Sequence, residues 1–187
     1  MICVGLDLSV TATGMVAIDE DDPFSGVQSW IIRPEKSMLS DPILKKMSIA
    51  RQIAVILIRP GISKPIVGIE GYSYSKFGMA ESGELGGIVK AELMCVNFEY
   101  SIFPPTSIKK FACGSGSAKK ELMIAAVFKR WTFDTNDNNL ADAFAIAKLA
   151  QAMYWRKEGS ANLHHLTSFQ FDVVENLFKP KPKKVKK

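Results

Sequence analysis

The sequence predicts a mixed α/β fold: one five-stranded sheet, three of its strands an antiparallel meander and two parallel, with helices on its faces. Three observations predict it. Short apolar runs separated by turn residues fill the first 32 positions. From residue 41 onward, strand-like runs alternate with helical periodicity. A chain of 187 residues with 47% hydrophobic and 23% charged side chains has enough material for one full core, but not for two large domains.

The elements follow in order. ICVGLDLS and GMVAID read as strands joined by SVTATG, a small-residue stretch fit for a tight turn, and VQSWII as a third strand. From about 41 to 58, Ile43, Leu44, Met47, Ala50, Ile53, Ala54 and Leu57 recur at helical spacing, and Pro60 ends the helix. KPIVGIEG is a compact buried strand. A helix is predicted over about 80–98, with Leu85, Ile88, Val89, Leu93 and Val96 on one stripe and Gly83, Gly86 and Gly87 allowing close approach. YSIFPP is the fifth strand. Helical patterns resume over 107–112, 118–131 and 140–155. Phe169, Val173 and Leu177 at i, i+4 and i+8 mark a short amphipathic helix over 168–178, expected to pack back on the domain. No internal repeat interrupts this order.

The net charge of +5 is carried by the C-terminus. KPKPKKVKK holds six of the 24 basic side chains and no acid, leaving 18 basic against 19 acidic residues elsewhere. A proline-broken lysine run cannot bury a core and suits a polyphosphate partner through counterion release. The three cysteines (Cys3, Cys95, Cys113) are an odd number without a CxxC pair. That argues against a disulfide framework and a thiolate zinc site, and for a reducing compartment. MICVGLDLS has an acid at position seven and no basic segment before an apolar run, unlike a secretory signal. No apolar run approaches the roughly 20 residues of a bilayer crossing. The adjacent His164 and His165 lie in a polar stretch and read as a surface pair.

Three acids stand out because their settings are apolar. Asp7 is flanked by Val4, Leu6 and Leu8, and Glu70 ends the run Ile66, Val67, Gly68, Ile69. In NNLADAFAIAKLA, helical stepping puts Asn139, Asp142, Ile146, Leu149 and Met153 on one face, so Asp142 points toward the core. An unpaired buried carboxylate costs several kcal/mol, so each needs a cation, a hydrogen-bond partner or a raised pKa. Taken singly, each is as well explained by a carboxylate accepting backbone N–H bonds at a strand end or helix start. Taken together, if the first and fourth strands are neighbours, Asp7 and Glu70 converge and a helix laid across them adds Asp142. An all-oxygen set without histidine suits Mg²⁺ or Mn²⁺ rather than zinc.

These residues carry a resemblance to the RuvC family of Holliday junction resolvases, in its phage-type branch, within the RNase H-like/retroviral integrase superfamily. GLDLSVTATGMVAI resembles the family's first strand and turn, G-I-D-x-G-x-x-x-T-G, with Asp7 at the first catalytic acid. VGIEGYSY resembles the strand bearing the second acid, here Glu70. LGGIVKAELMCV falls where the family has its dimer-contact helix. PPTSIKKFACGSGSAKKELM resembles its lysine-containing stretch, with Lys120 at the functional lysine, and NNLADAFAIA its closing helix, with Asp142 at the final acid. The five pieces run in register from about residue 1 to 155.

Two departures are visible. The family's fourth active-site position, three residues before the last acid, is usually Asp or His and here is Asn139. An amide can offer a carbonyl oxygen but neither negative charge nor a proton acceptor, and Asp is expected to substitute for it. Asp137 is the alternative fourth ligand. In the first loop, Leu8 and Ser9 replace the usual small or proline-glycine pair.

The resemblance implies an RNase H-like nuclease domain over 1–157, a C-terminal extension with a short helix over 158–178, and a basic tail over 179–187. It implies a metal-dependent endodeoxyribonuclease using two Mg²⁺ or Mn²⁺ ions held by Asp7, Glu70 and Asp142, with Asn139 at the fourth position. The expected product ends are 5′-phosphate and 3′-hydroxyl. Expected partners are four-way branched DNA and a second copy of the chain, joined through the 85–96 helix. No small-molecule cofactor and no membrane are expected, and the implied location is a bacterial or phage-infected host cytoplasm. Lys120, Lys119, Lys109 and Lys110, with Lys129 and Arg130 as helpers, would neutralise phosphates. The family's base-stacking aromatic would be Tyr72, Tyr74 or Phe77. The alternatives are a relaxed branched-DNA or flap endonuclease within the same nuclease class and, in another class, an inactive DNA-binding relative. An ATPase that opens on a similar strand and T-G turn needs about twice this length.

Overall fold

The computed structural model describes residues 1–21, 26–38, 40–60, 62, 64–71 and 79–179, the side chain of residue 79 excepted. At the centre runs β1 (Ile2–Asp7), antiparallel to β2 (Thr13–Asp19), which pairs antiparallel with β3 (Val27–Ile32). On its other side β1 pairs parallel with β4 (Ile66–Glu70), and β4 pairs parallel with β5 (Tyr100–Phe103). The order β3-β2-β1-β4-β5 is the meander-plus-parallel sheet expected from the sequence. A central strand with helices over both faces must be apolar on both, and Cys3, Val4 and Leu6 are fully buried.

One face is covered by α1 (Pro42–Leu57) and α2 (Met79–Cys95). Asp41 caps α1 by accepting from the backbone N–H groups of Ile43 and Leu44 at 2.7 and 2.9 Å, with Pro42 as the first helical residue. Ile49, Ile53 and Leu57 of α1 and Leu85, Val89 and Leu93 of α2 close over Val4, Leu6, Met15 and Ile69. Lys46, only 3% exposed, ties the two helices through Glu84 at 2.5 Å. The stripe on α2 assigned from sequence to a partner chain is therefore core. Leu85, Val89 and Leu93 are buried and Ile88 packs against the same cluster, while Gly87, Ala91 and Met94 face outward. A helix lying on a sheet and beside another helix needs an apolar stripe whether or not it meets a partner.

The opposite face carries α3 (Pro105–Cys113), α4 (Lys120–Trp131), α5 (Asn138–Lys157) and α6 (Ser168–Phe178). Phe111, Met123, Val127, Phe144, Ile146, Leu149, Val173 and Val174 form this core with Val16, Ile18 and Phe103. Gly114 at φ 84° and Thr132 at φ 57° stop α3 and α4 in left-handed conformations. As expected, α6 packs back on the domain, begun by a capping box between Thr167 and Gln170. All three cysteines are free, and among the described residues no helix is long and apolar enough to cross a membrane.

The helix α5 lies directly on the strands. Six buried alanines (Ala141, Ala143, Ala145, Ala147, Ala150, Ala152) keep it thin. Gly5 lets it approach: a Cβ there would sit 1.9 Å from the Ala143 carbonyl oxygen and 2.5 Å from the Ala147 nitrogen. Gly68 is crowded too, its would-be Cβ lying 2.9 Å from Ile146 Cγ2. Because the atoms at Gly5 are backbone, relief requires moving the whole helix. Gly5→Ala is expected to lower stability by at least about 3 kcal/mol, the upper end of overpacking costs. Urea unfolding measures it, and a loss below about 1 kcal/mol would show that the helix has room to spare.

Candidate functional site

Asp7 closes β1 and Glu70 closes β4. The two strands are parallel neighbours with Leu6 beside Ile69, so both acids emerge together at the C-terminal ends, where open α/β sheets place their functional groups. Glu70 is anchored from behind: the next backbone N–H, of Gly71, donates to the Phe103 carbonyl at 2.7 Å. Asp142 enters from above, one turn into α5 and just before the Ala143 that rests on Gly5. The three acids singled out from sequence thus come together at one end of the sheet.

Their electrostatics show the crowding. Burial, and then the charges of Glu70 and Asp142, push the Asp7 carboxyl well above the usual carboxylate range. Burial raises Glu70, while its hydrogen bond with Asp7 and the positive charges of Lys120 and Lys109 oppose the rise. Asp142 is pushed up to about 6 by burial first and Glu70 second, again against Lys120 and Lys109. The ion pairs among the described residues lie elsewhere: Lys46 with Glu84, Arg156 with Glu175, and the N-terminus with Asp19 and Asp21. The lysines here act at longer range.

Of the basic residues expected at the site, Lys120 is felt by all three acids and Lys109 by two. Lys119 is exposed at the start of α4, and Lys110 is half-buried on α3. Arg130, expected as a phosphate helper, is engaged in the fold. Its Nε donates to the Ala112 carbonyl at 2.6 Å and its guanidinium lies 4.7 Å from the Phe169 ring centre. His164 and His165 are exposed, their ring centres 4.3 Å apart. Tyr72, Tyr74 and Phe77 lie outside the described residues.

The two residues weighed for the fourth position have distinct tasks. Asp137 is the N-cap of α5, its Oδ1 accepting from the backbone N–H of Asn139 at 2.8 Å and of Leu140 at 3.3 Å. Asn139 donates through Nδ2 to the Ala12 carbonyl at 2.9 Å, across the β1–β2 turn. Sequence reasoning missed Thr13. It is fully buried, and its hydroxyl both donates to the Ser9 carbonyl (2.8 Å) and accepts from the Ser9 N–H (3.0 Å). The signal was present as a hydroxyl next to the turn glycine, Gly14.

Among the described residues, no three His, Cys, Asp or Glu side chains stand at the spacing of a ready coordination shell. The donor chemistry nevertheless fits a hard divalent cation: three carboxylates converge, burial and mutual charge disfavour their ionised forms, and no histidine or thiolate competes.

A raised carboxyl pKa makes the folded chain hold protons that the unfolded chain releases. Stability of the metal-free protein should therefore fall as pH rises from about 4 through about 6, the interval between the ordinary and shifted values of Asp142. In excess chelator at pH 7.5, Asp142→Asn is expected to be more stable than the unsubstituted protein by about 1 to 3 kcal/mol, an advantage that vanishes at pH 4. Chemical denaturation at both pH values measures this, and equal stabilities at pH 7.5 would remove the electrostatic strain at Asp142.

No family model matches the chain, and no curated protein matches it. Its three-dimensional structure is similar to that of Thermus thermophilus RuvC (TM-score 0.62, 20% sequence identity, covering 86% of this chain and 98% of that one). It is equally similar to a structure of Thermus thermophilus RuvC in complex with a Holliday junction substrate (TM-score 0.66, 18% identity, 86% and 97% covered). The chain is thus built on the RuvC architecture, with an RNase H-like sheet.

Proposed function

We propose that the protein is a divalent-metal-dependent endonuclease that nicks branched DNA, with the four-way junction as its principal substrate. The observation that carries this reading is the convergence of Asp7, Glu70 and Asp142 at the sheet's C-terminal edge, beside Lys109 and Lys120. The RuvC-like architecture and the motif resemblance support it.

Asp7, Glu70 and Asp142 would hold the cations. Mg²⁺ or Mn²⁺ bound there would supply charge stabilisation to a phosphodiester under hydrolysis and lower the pKa of the attacking water. The chain's own contribution is position and field. Asp7 and Glu70 are fixed by strand ends and Asp142 by a helix that cannot slide, because Gly5 is already in contact. With their pKa values raised, the carboxyls release protons as a cation binds, so apparent metal affinity increases with pH. Lys120 and Lys109 sit where a phosphate backbone would pass, and the lysine-rich 179–187 segment adds sequence-independent attraction.

Paired symmetric nicks require paired sites, so the reading includes a homodimer. The face of α2 available for it is the one carrying Gly87, Ala91 and Met94, the last 66% exposed. A Cβ on Gly87 would meet nothing within 4 Å among the described residues, so a second helix has room to approach closely. Substituting Ala91 by Arg together with Met94 by Glu should convert a dimer to a monomer in sedimentation. An unchanged mass would move the interface to another surface.

The decisive measurement is cleavage of labelled four-way, three-way, flap and duplex DNA in Mg²⁺ or Mn²⁺. Asp7→Asn, Glu70→Gln and Asp142→Asn should each slow nicking by roughly a thousandfold or more, as loss of several kcal/mol of transition-state stabilisation requires. Junction binding should persist, because shape is kept while charge is removed. Full activity in any one variant would take that residue out of the site. Cleavage of all four substrates at similar rates would replace junction resolution with general branched-DNA nicking.

A further inference from the structure

We infer that Asn139 and Thr13 are positioning residues that clamp the β1–β2 turn and so hold Asp7 in place beneath Asp142. The inference rests on the nuclease reading above only where it concerns nicking rates; the clamp itself is a statement about hydrogen bonds.

The turn spans residues 8–12, between the last residue of β1 and the first of β2. It follows Asp7 directly, so any freedom in it is freedom of Asp7. Two groups remove that freedom from opposite sides. From within, the hydroxyl of fully buried Thr13 bonds both backbone groups of half-buried Ser9. From above, Asn139 Nδ2 donates to the Ala12 carbonyl at 2.9 Å. The helix is itself pressed onto the strand at this point. Gly14 is the register partner of Asp7, and a Cβ there would lie 2.2 Å from the Asn139 carbonyl oxygen. Asp137, as cap, fixes the backbone of Asn139 in turn. Asn139 and Asp142 are three residues apart, about one helical turn. The residue that grips the turn after Asp7 therefore sits directly below the residue that must face Asp7.

This geometry gives a reason for an amide at position 139. The group that matters is the N–H donor. A carboxylate has the same shape but cannot donate when ionised, and would set a charged oxygen against the Ala12 carbonyl. The sequence-based expectation that Asp would substitute for Asn139 is accordingly reversed: Asn139→Asp should behave like Asn139→Leu. The consequence for chemistry is large because displacing a reacting group by about 1 Å can cost on the order of a hundredfold in rate.

Asn139→Asp, Asn139→Leu and Thr13→Val in the full chain test the clamp, with Thr13→Ser as the variant that keeps the hydroxyl. The first readout is hydrogen exchange at the Ser9 amide, which needs no metal and no DNA. Exchange should accelerate about five- to tenfold in the first three variants, the worth of one net hydrogen bond, and stay near the unsubstituted value in Thr13→Ser. The second is single-turnover nicking at saturating Mn²⁺, below the melting temperature of every variant. There kcat should fall by about tenfold to a hundredfold with an unchanged KM for DNA, and Thr13→Ser should restore it. Unsubstituted exchange in Asn139→Asp and Asn139→Leu would overturn the clamp. So would a fully active Asn139→Asp beside an inactive Asn139→Leu, because the oxygen would then be what the position supplies. If the unsubstituted protein nicks no DNA, the nuclease reading fails while the exchange data still decide the clamp.

Discussion

The contact on which the rest of the molecule depends is that of α5 with β1, backbone against backbone at Gly5. Helices usually stand off a sheet by the height of their side chains. Here the strand contributes no side chain at the crossing and the helix contributes alanines, so the Ala143 carbonyl lies where a Cβ of residue 5 would be. Close packing of this kind holds the helix at one position along the strand, since would-be Cβ atoms at Gly5 and Gly14 both fall on its backbone. The placement of Asp142 over Asp7 and Glu70 is thus a consequence of packing. Beyond the hydrogen bond between Asp7 and Glu70, the neighbouring charges repel, and the core holds the carboxyls together against that repulsion.

That repulsion is a cost borne by the fold. Asp7 is raised by burial and by two neighbouring acids, and the lysines only partly offset it. A chain selected for stability alone would place a hydrophobic residue or an amide at one of these positions. Perturbed carboxyls gathered at strand C-termini, against an otherwise well-satisfied interior with no buried side-chain polar atom lacking a partner among the described residues, set this corner of the fold apart as the candidate site.

Much of this was legible in the sequence, and the physical reason differs by residue. Asp7 and Glu70 were visible because a charge inside an apolar strand has no solvation motive, and Asp142 because helical periodicity gave its direction. The strands were legible through their turns, and the helices through apolar stripes, the first of them ended by Pro60. What could not be read was how a stripe is used. The row Leu85, Val89, Leu93 of α2 would look the same facing a sheet or a second chain, and it faces the sheet. The task of Asn139 was hidden for a related reason. An asparagine both donates and accepts, and only the position of the Ala12 carbonyl, 127 residues away in sequence, shows which half is in use. The structural tasks of Asp137 and Arg130 were hidden as well, because a cap and a cation over an aromatic ring look, in sequence, like any other charges near a motif.

The two ends of α5 also separate two groups of positive charge. Asp142 stands near its beginning and Lys157 at its end, about 22 Å apart by helix rise. Near that far end, Met153, Tyr154 and Lys157 line a cavity of about 690 Å³ with Ile66, Tyr100 and Phe178. Phe178 is the last residue of α6, so the lysine-rich segment begins at the pole opposite the carboxylates. Lys109 and Lys120, by contrast, act on the carboxylates themselves. The length of one helix thus separates the root of the lysine-rich segment from the two lysines that bias the carboxyls.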